Sequence, residues 1–321
     1  MENNTRHEDR DPALNGQEIG NRIAREFLAE QRQARRWGIA FKIFIALYLL
    51  AFFIIYSAGK FEDVGSASLG GHTALVDVRG IIADTSEANA DDVGHGLRQA
   101  FEDDNTRGVI IRINSPGGSP VQAGHINDEI RRLKALYPAV PVYAVISDIC
   151  ASGGYYVAVA ADHIYADKAS LVGSIGVIMA GFGFVDAIEK LGIERRLQHA
   201  GENKAMLDPF SPLREEETAH LDTLLDDVYQ QFVAVVKQGR GARLAADDDT
   251  LFSGLIWSGE QSVALGLVDG LGSPDYVARE LIGAEEIIDF THSDTWLERF
   301  AAEVGTAIYN RVEQSSYFQL K

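Results

Sequence analysis

The sequence predicts an α/β domain preceded by one apolar segment. Runs rich in β-branched residues alternate with helical stretches along most of the chain, and Gly-rich turns follow two of those runs. A continuous apolar run stands ahead of the alternating region. Because strands that alternate with helices pack those helices against one sheet, the sheet should be largely parallel.

The individual elements follow from hydrophobic periodicity and composition. Short β-type runs predict strands at 73–78, 108–113, 141–147 and 163–166. Helical spacing of apolar residues predicts helices at 91–101, 123–137, 155–161, 215–237 and 294–312. The apolar stripe on the last of these is more typical of a packing or assembly surface than of a ligand site.

The apolar run at 37–58 has the length of a transmembrane helix and is interrupted only by Lys42. Basic residues lie on its N-terminal side, so the positive-inside rule places residues 1–36 in the cytoplasm and the remainder outside. A cleaved signal peptide ending near residues 57–59 is the rival interpretation, but 36 preceding residues are too many for an ordinary leader. A buried soluble helix is a third and poorer interpretation.

These features divide the chain into five parts. We predict a cytoplasmic segment at 1–36, a transmembrane helix at 37–58, a linker at 59–71, a folded α/β domain at 72–290, and a C-terminal amphipathic helix and tail at 291–321.

Composition excludes several classes of protein. The net charge of −18 argues against a nucleic-acid-binding face, which needs clustered Lys and Arg. The single cysteine, Cys150, cannot form an intramolecular disulfide, and after a buried strand it is more often a small core residue than a nucleophile. No metal-binding motif, phosphate loop or dinucleotide motif is present, so no cofactor or metal is expected.

Two Gly-rich turns carry the candidate chemistry. One is Asn114–Gly118 (NSPGG) and the other is Ala151–Tyr156 (ASGGYY), each after a predicted strand and before a predicted helix. Either alone is more typical of a β-turn or a helix cap. Together they could supply two backbone donors to one developing oxyanion, with Ser152 exposed beside them.

With these residues in view, the sequence resembles signal peptide peptidase A, a peptidase family within the Clp protease/crotonase fold superfamily. Three further segments resemble those of the family: GSIGV at 173–177, GENK at 201–204 with Pro-Phe at 209–210, and residues 254–273. The motifs occur in order between residues 73 and 280, and each occurs once, as in the short form of the family.

The resemblance implies a role for five residues. Ser152 would be the nucleophile, Lys204 the general base and Ser174 the residue that orients the lysine, while Gly118 and Gly153 would donate the oxyanion-hole amides. A lysine acts as a base only when neutral, and burial favours the neutral amine. We therefore expect the charged Glu202 to point away from Lys204.

Other bases remain to be compared with Lys204. A histidine mechanism could use His125, His163 or His199 with Asp148 or Asp162. None of these histidines lies in a segment that resembles a catalytic one. Two further lysines, at positions 168 and 190, are expected to be surface charges.

The resemblance implies a membrane-anchored serine endopeptidase that hydrolyses remnant signal peptides and other short apolar peptides through an acyl-enzyme. It also implies a homo-oligomeric ring, in which Ser152 and Lys204 come from one protomer or two, and a bacterial inner membrane location with the catalytic domain on the periplasmic side. A crotonase-like acyl-CoA enzyme, an inactive membrane scaffold, and a peptidase with another target are the alternatives.

Overall fold

The computed structural model describes residues 71–292, residues 37–39 and 41–52, and the single residues 21 and 35. Residues 37–39 and 41–52 are helical and their side chains are exposed. Within these described parts, no helix is both long enough and apolar enough to cross a membrane. The predicted anchor at 37–58 includes residues 40 and 53–58, which lie outside the described residues, as do most of 1–36, the linker to residue 70 and the helix predicted at 294–312.

One mixed sheet of eight strands organises residues 71–292. The strands are β1 (His72–Arg79), β2 (Thr106–Ser115), β3 (Val142–Ala151), β4 (His163–Ala166), β5 (Leu171–Gly173), β6 (Ile256–Ser258), β7 (Gly270–Leu271) and β8 (Ile287–Asp289). Their order is β6-β5-β3-β2-β1-β8, with β4 between β3 and β7. Every pairing is parallel except β5 with β6, which confirms the predicted α/β fold with a largely parallel sheet.

Helices connect these strands. They are α1 (Ala90–Glu102), α2 (Pro120–Leu136), α3 (Gly153–Ala158), α4 (Val185–Lys190), α5 (Glu215–Arg240), α6 (Asp248–Leu251), α7 (Gly259–Ala264) and α8 (Pro274–Tyr276), which runs into a π-helical turn at Val277–Ile282. Side-chain caps fix the start of the first two. The Asn89 side chain accepts from the Asp92 amide before α1, and Ser119 accepts from the Gln122 amide where Pro120 opens α2.

The central strands are buried on both faces, which explains their unbroken apolar runs. On β2, Ile111 belongs to the large core cluster and Ile110 to a smaller one on the other face. The large cluster also contains Leu97 of α1 and Ile126 of α2. The smaller cluster contains Val277 of the π-helical turn. The sheet is therefore a rigid platform for whatever stands at the ends of its strands.

Residues 178–214 differ from this platform and are called the arm below. None of them is buried, and the arm includes the six-residue helix α4. Large apolar side chains are exposed along it, at Ile178, Met179, Phe182, Phe184, Leu191, Ile193, Leu197, Leu207, Phe210 and Leu213. Exposed apolar surface of this extent is typical of a segment that packs against another molecule.

Within the described residues, the predicted elements agree with the observed ones except at their ends. The predicted helix at 155–161 begins at Gly153 and ends at Ala158, and β3 extends to Ala151 instead of ending at residue 147. As a result Ser152 directly joins a strand to a helix. The strands after β4 were not predicted, because elements of two or three residues are too short to show periodicity.

Candidate active site

The turn after β2 is shaped by two glycines with positive φ. Gly117 has φ 98° and Gly118 has φ 149°. A Cβ added to Gly117 would lie 2.6 Å from the amide nitrogen of Gly153, and one added to Gly118 would lie 2.1 Å from the carbonyl oxygen of Ile82. Only glycine allows the two Gly-rich turns to approach each other this closely.

Ile82 holds this turn from the other side. The Ile82 amide donates to the Gly117 carbonyl at 2.9 Å, and the Ser119 amide donates to the Ile82 carbonyl at 2.8 Å. These bonds form a parallel bridge between Ile82 and Gly118. They use the residues on either side of Gly118 and leave its own amide without a protein acceptor among the described residues.

Ser152 has an unusual backbone conformation for a residue with a side chain. Its φ is 52° and its ψ is −121°. Its amide donates to the Gly173 carbonyl at 2.9 Å, and its carbonyl accepts from the Tyr156 amide at 3.0 Å. Strain of this kind is concentrated at functional sites, and a sharp strand-to-helix turn is the arrangement that exposes a nucleophilic serine in unrelated hydrolases.

Two backbone amides lie next to the serine. Gly153 is the first residue of α3, so its amide has no acceptor within the helix. A Cβ built on Gly153 would lie 3.2 Å from the Gly118 nitrogen. The Gly118 nitrogen is thus close to the Cα of Gly153, and two free amides that lie side by side can both donate to one anionic oxygen.

Ser174 lies close to Ser152, at the end of the neighbouring strand β5. The register pairs Ala151 of β3 with Gly173 of β5, so the serines that follow these two residues are neighbours. Ser174 also has a positive φ, 50°, and its amide donates to the Leu255 carbonyl at 2.7 Å.

A cavity of about 1060 Å³ opens beside Ser152. Its wall includes Gly118, Gly153, Ser174 and one side of α2. Helix α5 also contributes to the wall, with Leu225, Tyr229 and Phe232. Helical spacing predicts α5 at 215–237, but its apolar stripe is the only feature of the sequence that could connect it with the site.

Lys204 does not line this cavity. It lies on an exposed turn of the arm, where its amide donates to the Gly201 carbonyl at 3.1 Å. Glu202 lines a separate cavity of about 740 Å³ within and beside the arm. A single copy of the chain thus brings Ser152, Ser174, Gly118 and Gly153 together and leaves Lys204 outside.

Of the three histidines considered, the structure brings only His125 to the Ser152 cavity. His163 lies on β4 with Nδ1 4.0 Å from the Asp269 carboxylate, and His199 lies in the arm with Nδ1 2.9 Å from the Gly201 carbonyl. The candidate partner carboxylates are used elsewhere. Asp148 accepts from the Asn114 side chain at 2.8 Å, and Asp162 pairs with Lys134 at 2.7 Å.

Cys150 is fully buried on β3, and burial raises the pKa of its thiol. A protonated buried thiol is a poor nucleophile, in keeping with a core role. The described residues contain no group of three or more His, Cys, Asp or Glu side chains arranged to hold a metal ion.

Comparison with known proteins finds one family model and several peptidases that are similar to this chain. The model of "Peptidase family S49" matches residues 134–287. A putative signal peptide peptidase SppA of Enterococcus faecium is 33% identical over 222 residues, which are 67% of this chain and 64% of that protein. Protease 4 of Haemophilus influenzae is 31% identical over 234 residues, 72% of this chain and 37% of that protein.

Two further similarities are weaker evidence than these peptidases. A Brucella abortus protein named Na(+)/H(+) antiporter NhaA is 44% identical over 187 residues, 58% of this chain but 25% of that protein, so most of it lies outside the match. The solved structure of a mutant of the 1510-N membrane-bound stomatin-specific protease is 14% identical and covers 70% of this chain and 95% of its own. Its TM-score of 0.37 is too low to support an argument about the fold.

The chain spans between a quarter and just under two thirds of the length of these curated relatives. The peptidase relatives and the family model agree with the motifs that surround Ser152. Together they support the assignment of this chain to peptidase family S49, of the signal peptide peptidase A type.

Proposed function

We propose that this protein is a serine endopeptidase with Ser152 as nucleophile and Lys204 as general base. The observation that carries the proposal is the conformation of Ser152: a strained residue between β3 and α3, with the free amides of Gly118 and Gly153 beside it. Strain at a partly exposed serine has no evident structural purpose, whereas it is expected where a hydroxyl must face a substrate.

The chemistry is amide hydrolysis through an acyl-enzyme. The Ser152 hydroxyl attacks the scissile carbonyl carbon while its proton passes to the neutral Lys204 amine. The tetrahedral oxyanion accepts hydrogen bonds from the Gly118 and Gly153 amides. Its collapse breaks the C–N bond, and the leaving amine takes the proton from Lys204. Water, deprotonated by the same lysine, then releases the carboxylic acid product and restores Ser152.

Lys204 reaches Ser152 in this proposal from a neighbouring subunit. The arm that carries Lys204 exposes ten large apolar side chains, so covering it with a second copy would remove apolar surface from water. The same contact would take the amine out of solvent, which is the condition for a neutral lysine. A contact that joins the arm of one subunit to the cavity of the next is heterologous, and such contacts form a ring when the rotation between subunits closes. Ser174 would then hydrogen-bond the incoming amine and orient it.

His125 is a rival base, because it lines the same cavity as Ser152 within one subunit. It is exposed, and no hydrogen bond to a carboxylate orients its ring among the described residues. A catalytic histidine needs such an orienting partner, so the lack of one argues against His125 as the base.

The substrate class and location extend the same proposal. We propose cleavage of remnant signal peptides and other short apolar peptides, which suits a cavity whose α5 wall carries Leu225 and Phe232. We propose that residues 37–58 anchor the protein in the bacterial inner membrane, with the N-terminus cytoplasmic and the catalytic domain periplasmic. The parallel sheet and the paired Gly-rich turns support a Clp protease/crotonase-like fold.

The test is peptide hydrolysis by the detergent-extracted full chain beside four variants. Ser152→Ala and Lys204→Ala should each lower turnover by about ten-thousandfold or more while keeping the assembled size. Lys190→Ala, which removes an exposed lysine of the same arm, is the matched control and should keep full activity. His125→Ala should keep at least half of the turnover.

Each result has an opposite that counts against the proposal. An active Lys204→Ala beside an inactive His125→Ala would transfer the base to the histidine. An active Ser152→Ala would reject the acyl-enzyme altogether and favour an acyl-CoA enzyme that uses the oxyanion hole without a serine.

A further inference from the structure

Helix α3 carries the Gly153 amide and follows Ser152, yet it has little stability of its own. It contains six residues, Gly153–Ala158, and no side chain caps its N-terminus. A helix this short is unstable in isolation, so contacts with the rest of the fold must set its direction.

Tyr155 supplies a directional contact of this kind. Its side chain is fully buried, and its hydroxyl donates to the Leu267 carbonyl at 2.7 Å. Burial raises the pKa of Tyr155, so the hydroxyl keeps the proton that it donates. The bond runs from the third residue of α3 to a loop 112 positions away in sequence.

The accepting carbonyl is itself held in place. The Leu267 amide donates to the Ser262 carbonyl at 2.9 Å. On one side of it, the Gly266 carbonyl accepts from Arg240 Nε at 2.9 Å. On the other side, Asp269 accepts from both terminal nitrogens of Arg240, at 2.8 and 3.0 Å.

Arg240 is 2% exposed, so this is a buried ion pair with a planar, two-pronged geometry. Asp269 also accepts from the Ile164 amide at 2.7 Å. The loop 266–269 is therefore bonded to α5 and to β4 at once, and Tyr155 is the link from that loop to α3.

We propose that Tyr155 is a positioning residue that fixes the Ser152 hydroxyl and the Gly153 amide through its bond to Leu267. The inference rests on the proposed function, because positioning by Tyr155 matters only if the Ser152 hydroxyl and the Gly153 amide act on a substrate. Tyr155 touches no reacting atom and acts through the direction of α3.

The test compares Tyr155→Phe with Thr73→Val in the full chain. Each variant removes one buried hydroxyl that donates to a backbone carbonyl at 2.7 Å, and each keeps most of the side-chain shape. Thr73 lies on β1 and bonds to Ala284, away from the Ser152 cavity. It is thus a control for the loss of a buried hydrogen bond as such.

With an internally quenched apolar peptide, Tyr155→Phe should lower kcat by about tenfold to a hundredfold and change KM by less than about threefold, since small displacements of reacting groups affect the chemical step most. Thr73→Val should leave kcat and KM within about twofold of the unaltered protein. The folded fraction of each variant is measured at the assay temperature, and rates are expressed per folded chain.

Three outcomes would overturn the inference: an unchanged kcat in Tyr155→Phe, equal losses in the two variants, or an unfolded Tyr155→Phe beside a folded Thr73→Val. The last would show that the hydroxyl serves the whole domain. Ser152→Ala separates this inference from the proposed function. If it is inactive and Tyr155→Phe is fully active, the positioning role alone fails; if it is active, the proposed function fails first.

Discussion

Ser152 stands on a platform of fully buried side chains, whereas Lys204 stands on an arm in which none of the residues 178–214 is buried. The platform supplies everything that needs sub-ångström geometry within one chain: a strained serine, a second serine beside it, and two free amides. The arm supplies one long side chain and a row of exposed apolar residues. Precise placement thus comes from the sheet, and in the proposed mechanism the base comes with an intermolecular contact.

The largest expected effect tests whether Ser152 and Lys204 act from different subunits. Ser152→Ala and Lys204→Ala are each inactive in the proposed mechanism. Co-assembled in equal amounts, they should regain about a quarter of the unaltered activity, because random mixing gives that share of contacts with both groups intact. Peptide hydrolysis after co-expression measures it. No recovery from a mixed assembly of confirmed composition would place both groups in one subunit.

The next effect contrasts the stability of the two regions. Ile130→Ala truncates a fully buried side chain of α2 and should lower the free energy of unfolding by about 2–5 kcal/mol. Phe182 is 82% exposed in the arm, so Phe182→Ser should change that free energy by less than about 0.5 kcal/mol. Phe182→Ser should instead lower the assembled fraction.

Denaturant unfolding and sedimentation measure these two quantities. A Phe182→Ser chain that unfolds as readily as Ile130→Ala would mean that the arm is part of the folded core. A Phe182→Ser chain that assembles normally would remove this side chain from the subunit contact.

A smaller effect is expected at the boundary between the regions. Ser174 belongs to the platform, but its proposed partner is the lysine of the arm. Ser174→Ala should lower kcat by about tenfold to a hundredfold, because a base that is less well oriented is still present. Thr223→Ala on the exposed side of α5, whose hydroxyl donates to the Ala219 carbonyl, should have no effect. Equal kcat values in the two variants would remove Ser174 from the mechanism.

The smallest effect concerns the acid stability of the platform. The Arg132 side chain, with a further hydrogen bond from Arg98, lowers the pKa of Glu129 from 4.5 to about 2. A lowered carboxyl pKa stabilises the fold above the unfolded value and ceases to do so as the pH falls to the folded value. Glu129→Gln should therefore cost up to about 1 kcal/mol at neutral pH and nothing near pH 2.

The control for this pH dependence is Glu194→Gln in the arm, where an exposed carboxylate pairs with Arg196. It should leave the curve of unfolding free energy against pH unchanged. A constant difference between Glu129→Gln and the unaltered chain down to pH 2 would show that the glutamate acts through packing instead of charge.

Sequence reasoning succeeded where the signal is local. The runs at β1 to β4 and the stripes of α1, α2 and α5 predicted an α/β domain, because burial on one or both faces imposes a period that can be read from the chain. The Gly-rich turns are also local signals, and they predict two backbone donors beside Ser152.

The features of the site that the sequence does not predict depend on pairings between distant residues. Ser152 and Ser174 have a positive φ where β3 and β5 pair. A serine at either position in the sequence gives no indication of this conformation. The cavity wall from α5 likewise depends on how a helix far along the chain packs near α2. Lys204 was identified by its motif, but its exposure in one copy is a property of the folded arm that the motif does not contain.

The backbone of Ser152 has a consequence for attempts to trap a substrate. At φ 52° and ψ −121°, a residue without a Cβ would be more comfortable than serine. Ser152→Gly should therefore yield a protein that resists heat slightly better than the original while holding an uncut peptide, whereas alanine would retain the strain. The glycine variant would be the better starting material for capturing a bound peptide. Its added stability would show that serine at this position lowers the stability of the fold while it presents a hydroxyl.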